Sequence, residues 1–338
     1  MAIPVTATQG PGLPEPGAAL TSAGPRRRTA LRRFTRAIRT NRKATIGVVL
    51  MAIFIFVALF PGLLTHQSPT AFSTDVTAKP SAAHWLGTDN IGADIYAQVI
   101  DGTRNVLILA IAVGAITTAV AMVIGVAAAY LGGVWDGVLN FVTDVLLVIP
   151  IFPLLIIVAS YFPNAGNDEL ILVLSFTGWS YTARQLRSQA QSIRNRDFLL
   201  AARVRGERPF YVIMVEIIPT MTSLLLASFL TNALYAVLAG SGLQFIGLGK
   251  SNNVSWGTTL YWANQNAAWT TGDYLWFIVP GLCIALLGVA FAFINYAFDE
   301  IGNPALRPLS AAKARKKASK AAEASTRRRL ASHGARAR

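Results

Sequence analysis

The 338-residue chain has one cysteine, Cys283, three histidines and few charges. A single thiol can form no intramolecular disulfide and no Cys-based zinc site. His66, His84 and His333 are too scattered to suggest a metal centre. Charged residues make up 14% of the chain, against about 25% in an ordinary soluble domain, and 53% are hydrophobic. That balance argues against a water-soluble globular protein. It also sets aside the two soluble domains that length alone would suggest. No internal repeat is visible.

The formal net charge is +14, and it is unevenly placed. Nine basic residues lie between Arg26 and Lys43, and eleven between Arg307 and Arg338. Each tail nets +8 once Glu15, or Asp299, Glu300 and Glu323, are allowed for. Residues 44–298 carry ten basic and twelve acidic residues. The chain is therefore a near-neutral apolar body with two cationic tails. No basic face is available to track a phosphate backbone, so nucleic-acid binding is excluded as the meaning of the charge.

A transmembrane helix needs about 20 mostly apolar residues to cross a hydrocarbon core of about 30 Å. Residues 44–64, 105–131, 138–162, 217–239 and 274–298 meet this requirement. A sixth run, 170–183, is shorter and contains Gly178. Parity argues for keeping it, because six crossings put both basic tails on one side. The fold class is thus an all-α, polytopic integral membrane protein with six transmembrane helices. With six crossings, 27 basic residues fall on the side of the tails and 3, Lys79, Arg104 and Lys250, on the other. The positive-inside rule then makes both termini cytoplasmic in a multi-pass protein of the cell membrane. The run 44–64 exceeds the roughly 7–15 residues of a signal h-region, and a long basic segment precedes it, so it reads as a permanent anchor. The organisation expected is a basic tail at 1–43, a membrane domain at 44–303 and a second basic tail at 304–338. Residues 1–25, rich in Pro, Gly, Ala and Thr, read as disordered. The C-terminal tail reads as solvated, with a helix lying on anionic lipid as the alternative.

Residues 243–251, LQFIGLGKS, invite a nucleotide-binding reading, but a P-loop needs glycine where Gln244 stands. The segment also falls outside the cell in this topology. It reads as a glycine-rich external turn, and any ATP must be bound by another chain. Within the spans, Asp144 and Glu216 lie close to the interface, where a structural role suffices; a proton relay would want deeper carboxylates. Gly114, Ala115, Ala119, Gly125 and Ala127–Ala129 suit close helix packing. Pro150 and Pro153 should bend the third span.

The cytoplasmic loop, 184–219, is the most informative segment. It carries seven arginines, and from about Ser188 to Arg205 it is rich in helix formers and stops at Gly206. Glycine there suits the left-handed residue that closes a helix. Pro209 suits the first turn of a second helix running toward Pro219. The pattern predicts a helix, an elbow and another helix, a knob able to dock in a partner's groove.

Ala201-Ala202, Gly206 and Ile217-Ile218-Pro219 resemble the EAA loop of ABC-importer permeases, E-A-A-x-x-x-G followed by I-x-L-P. Further motifs resemble the C-type permease of the dipeptide/oligopeptide/nickel importers. His84-Trp85-Leu86-Gly87-Thr88-Asp89 with Gly92 and Asp94 matches H-x-L-G-T-D-x-x-G-R-D. Tyr130–Asp136, Asp144 and Pro150 match the region of the second and third spans. Gln244–Gly249 resembles S-F-L-G-L-G, with Ser255-Trp256-Gly257 following. The likeness covers roughly residues 40–303. Leu200 replaces the glutamate of the triplet, Ala93 the arginine of G-R-D, and Gln244 the serine.

The resemblance implies a type I ABC-importer permease without catalytic residues or a cofactor of its own. It implies coupling to the ATPase through Leu200, Ala201, Ala202, Gly206 and Pro219, and an external-loop motif at Gly87, Thr88, Asp89, Gly92 and Asp94. The implied partners are a B-type permease, one or two ATPases carrying ATP and Mg, an extracytoplasmic substrate-binding protein and membrane lipid. Peptides are the first substrate class, with oligosaccharides or nickel as alternatives. A secondary transporter driven by an ion gradient would predict deep charges or discontinuous spans. A non-transporting anchor would leave the external motif unexplained.

Overall fold

Each long helix begins and ends where local chemistry permits. The computed structural model describes residues 41–162, 166–249 and 253–302. The expected disordered and basic tails lie outside the described residues apart from their ends next to the spans, as do Lys250 and Ser251 of the discarded P-loop reading. Helix α1, Arg42–Leu59, starts under the side chain of Asn41, whose Oδ1 accepts the Lys43 N–H at 3.0 Å, and a single turn, Pro61–Leu64, follows it. Helix α2, Ile95–Leu131, is capped by Asp94, whose Oδ1 accepts the Ala97 N–H at 2.7 Å, and closes at Gly132 with φ +68°. At 37 residues it is about 55 Å long.

Helices α3, Gly133–Val148, and α4, Ile151–Ser160, meet at 91°. The cause is Pro150, which disfavours helical backbone at the preceding residue; Ile149 is extended, with ψ 127°. Helix α5, Asn167–Ile193, begins with the Glu169 carboxylate accepting the Gly166 N–H at 2.7 Å. Helix α6 is Asp197–Val204, and α7 is the irregular segment Pro209–Thr220. Helix α8 is Thr222–Phe245, α9 is Trp256–Gln265 and α10 is Tyr274–Gly302.

The described residues form helices, turns and one isolated bridge, so the all-α membrane architecture holds. The expected boundaries need correction. The run 105–131 is the end of a helix that starts at Ile95, and the run 217–239 starts after Met221 and ends at Phe245. The single span 138–162 is two helices at nearly a right angle. The short helix from Ser188 to Arg205 is instead the end of α5, a turn at Arg194–Arg196, and α6.

Four helices, α1, α2, α8 and the stretch Tyr274–Phe298 of α10, are long and apolar enough to cross a membrane, and the bent pair α3–α4 makes five. Helix α5, which contains the run 170–183, has the length but not the apolar composition. Thr177, Ser180 and Thr182 on it are buried against other helices, and Arg184 and Arg187 sit near its end. Half of the most apolar stretch of α8 is enclosed, against 17% for α1, so α8 is central and α1 peripheral.

Small residues allow the closest approaches. A Cβ on Gly125 would lie 2.4 Å from the Ala183 carbonyl oxygen, and one on Gly114 3.1 Å from Phe229 and Ala233. Between those two contacts, Asn232 of α8 joins three helices. Its Nδ2 donates to Thr118 Oγ1 of α2, and its Oδ1 accepts from Thr182 Oγ1 of α5, both at 3.0 Å.

Candidate functional site

Two sets of residues singled out by the sequence lie at opposite ends of α2. At its C-terminal end is the elbow. Leu199 and Ala202 are fully buried in one cluster with Val126 and Ala129 of α2, Leu186 and Ala190 of α5, and Val212 and Ile217 of α7. The guanidinium of Arg203 lies over the Tyr130 ring at 5.1 Å from its centroid, fixing α6 to the end of α2. Helix α6 closes in a Schellman arrangement: Gly206 has φ +74°, its N–H donates to the Arg203 carbonyl, and Glu207 N–H donates to that of Ala202. Arg208 is extended and Pro209 opens α7.

Of the EAA-like residues, Ala202 faces inward, whereas Ala201, Gly206 and Pro219 are exposed and Leu200 is 43% exposed. Leu200 thus presents an apolar side chain outward, one turn before Val204 on α6; Val204 and, on α7, Phe210 are 90% and 74% exposed. Pro219 has no N–H to donate, and the turn before it, Val212–Ile217, is a π-helix in which Ile218 N–H reaches Ile213. These residues form one continuous knob. Its surface exposes these apolar side chains together with Arg196, Arg205 and Arg208.

At the other end, the loop before α2 is held by its own motif. Asp89 Oδ1 accepts the N–H groups of Ile91 and Ala93 at 2.9 and 2.8 Å, and its Oδ2 accepts Gln98 Nε2 at 2.6 Å. Asp94 caps α2 with one oxygen and meets His84 Nδ1 at 2.8 Å with the other. Thr88 Oγ1 accepts the Ala78 N–H and donates to the Asp75 carbonyl. Gly87 and Gly92 have φ +82° and +81°, and a Cβ on either would strike the Ala78 or Ser73 carbonyl oxygen. The five motif residues therefore build the loop.

Gln244 acts similarly in the last turn of α8. It is 2% exposed, its Oε1 accepts Ser255 Oγ at 2.8 Å, and Gly257 must be glycine to lie against it. Among the described residues no group of three potential metal ligands occurs.

Several structural residues were not legible as sites. Arg187 figured only as one of the arginines marking a cytoplasmic loop, yet its guanidinium grips Asp136 with two bonds. Asp144, read as structural, accepts from Arg184 and from Asn140. Asn232, Thr118 and Thr182 carried no sequence signal at all, because lone polar residues in apolar runs have no fixed spacing.

A family model described as "Binding-protein-dependent transport system inner membrane component" matches residues 121–300, which contain the whole elbow. The chain belongs to this family of membrane permeases. It is 31% identical over 293 residues to the oligopeptide transport system permease protein OppC of Mycobacterium tuberculosis, covering 86% of this chain and 98% of that protein. It is 27% identical over 275 residues to the dipeptide transport system permease protein DppC of Bacillus subtilis, covering 80% and 85%. A putative peptide permease protein of Brucella suis is 28% identical over 286 residues, covering 84% and 92%. The permease is therefore a multi-pass protein of the cell membrane, of the C-type that the loop motifs indicate.

Proposed function

We propose that this permease is one of two membrane subunits of an ATP-driven ABC importer for peptides, and that its elbow couples transport to cytoplasmic ATPases. The observation that carries the reading is the knob formed by α6, Gly206 and α7, fastened to α2 and α5 and exposing Leu200, Val204 and Phe210. Such a surface can follow a partner's movement and pass it to α2 and α5, and to α8, which follows α7 in the chain. The names of the relatives support peptides as the cargo.

The second permease completes the path, one or two ATPases supply ATP hydrolysis with Mg, and an extracytoplasmic binding protein delivers substrate. Leu200, Ala201, Ala202, Gly206 and Pro219 serve the coupling; Gly87, Thr88, Asp89, Gly92 and Asp94 shape the outer loop. Helix α5 makes the sixth crossing, with Asn167, Thr182, Arg184 and Arg187 bonded to α2, α8 and α3. Both tails then face the cytoplasm.

Reconstitution of the full complex in proteoliposomes tests this. ATP inside the ATPase compartment should drive dipeptide uptake, an ion gradient alone should not, and the isolated chain should neither bind nor hydrolyse ATP. Uptake driven by a gradient without ATP would overturn the proposal.

A further inference from the structure

We propose that the loop end of the molecule carries a subsite for the positively charged amino end of a short peptide. The inference rests on the peptide reading above and adds a recognition site to it. A cleft of about 560 Å³ lies between the loop before α2, the first turns of α2 and helix α9. Its walls are apolar and aromatic, with Phe72, Ile91 and Trp262 all exposed. Its floor is polar and ordered: Asp89, Gln98 and Thr259 form a chain in which Thr259 Oγ1 reaches Gln98 Oε1 at 3.4 Å and Gln98 reaches Asp89. Apolar walls with a few convergent polar groups, at this volume, are the ordinary form of a small-ligand pocket.

The charge balance selects the ligand. Asp89 is 5% exposed, and its three hydrogen-bond donors are all neutral. Among the described residues no Lys, Arg or His nitrogen pairs with it. Ala93, whose carbonyl accepts the Asp89 N–H and whose N–H donates to the Asp89 carboxylate, stands where the motif would place arginine. A buried carboxylate without a counter-charge, beside an aromatic wall, favours a cation within the cleft. The volume exceeds one side chain and suits a peptide of two or three residues.

The test uses the purified complex, without its extracytoplasmic binding protein, carrying Thr70→Cys at the cleft rim and Cys283→Ala. Alanyl-alanine should slow maleimide labelling of residue 70 saturably, and N-acetyl-alanyl-alanine should not. Asp89→Asn keeps an oxygen for the two loop N–H groups while removing the charge, and should raise the protecting concentration about tenfold. Trp262→Ala, which touches none of the loop bonds, should weaken protection as well. Equal protection by the acetylated peptide would overturn the subsite. So would protection that only added binding protein confers, which would make the cleft a docking surface. Uptake of alanyl-alanine by the wild-type importer checks the peptide reading separately. Protection without uptake would remove that reading and keep the subsite; uptake without protection would do the reverse.

Discussion

Arg187 and Asp136 face each other fork to fork, with Nε 2.7 Å from Oδ1 and Nη2 2.8 Å from Oδ2. The pair ties the end of α5 to the start of α3, fifty-one residues earlier, and both side chains are about three-quarters buried. Planar pairing of this kind depends on the guanidinium, which presents two parallel donors. Arg187→Lys keeps the charge but loses the geometry, and should cost roughly 1–2 kcal/mol. The expected readout is a fall of several degrees in the Tm of the purified protein, with Arg187→Ala falling further. A Tm unchanged in both variants would show that the pair contributes nothing to the fold.

The Asn232 junction has a different character. Two neutral hydrogen bonds inside a membrane bundle are worth modest amounts, about 0.6 kcal/mol each on average. In Asn232→Leu the hydroxyls of Thr118 and Thr182 can turn back to their own helix carbonyls, so the chain should insert at wild-type abundance. What should change is the tie between α8, which continues from the elbow, and the α2–α5 pair. Peptide uptake per unit of ATP hydrolysed is expected to fall several-fold. An unchanged ratio would assign Asn232 to packing alone.

Topology can be tested by placing single cysteines at Ser22, Thr74 and Ser332 in a Cys283→Ala background. Thr74 lies in the exposed loop before α2. An impermeant thiol reagent should label intact cells at 74 alone, with 22 and 332 reacting only after permeabilisation. Labelling of either tail in intact cells would reverse the orientation derived from the 27-to-3 division of basic residues.

The apolar runs made the membrane class legible because burial in lipid leaves a one-dimensional trace: uninterrupted hydrophobic residues. The elbow was legible for a related reason, since Gly206 and Pro209 are punctuation that acts on neighbouring backbone. The 91° break was only partly so. Pro150 announced a bend, but its angle depends on what α3 and α4 pack against. Helix α5 shows the limit most clearly. Its Arg187 and Thr182 pair with Asp136 and Asn232, partners distant in sequence, so its composition alone under-reports it as a span. The cleft floor of Asp89, Gln98 and Thr259 was illegible for the same reason, although Asp89 itself stood out in a motif.

The elbow gives the most direct functional prediction. Gly206 has φ +74°, and nothing lies within 4 Å of the position a Cβ would take. A side chain there meets no steric obstacle; the whole cost is backbone strain. Gly206→Val should therefore cost about 1–2 kcal/mol locally, because β-branched residues resist the left-handed region. Gly206→Asn should cost less, since asparagine visits that region more readily. The buried anchors of α6, Leu199 and Ala202, lie upstream of the glycine, and Val212 and Ile217 hold α7 beyond it, so both variants should reach the membrane and pair with the second permease. In Gly206→Val the Schellman bonds from Gly206 and Glu207 loosen and α7 leaves α6 at a new angle, reorienting exposed Phe210 relative to α6. Uptake should then fall far more than abundance, and Gly206→Asn should lie between the valine variant and wild type. Wild-type uptake by Gly206→Val at equal abundance would show that the elbow is not where ATPase movement enters this subunit. Loss of the valine variant from the membrane alongside normal uptake by Gly206→Asn would assign the glycine to folding instead.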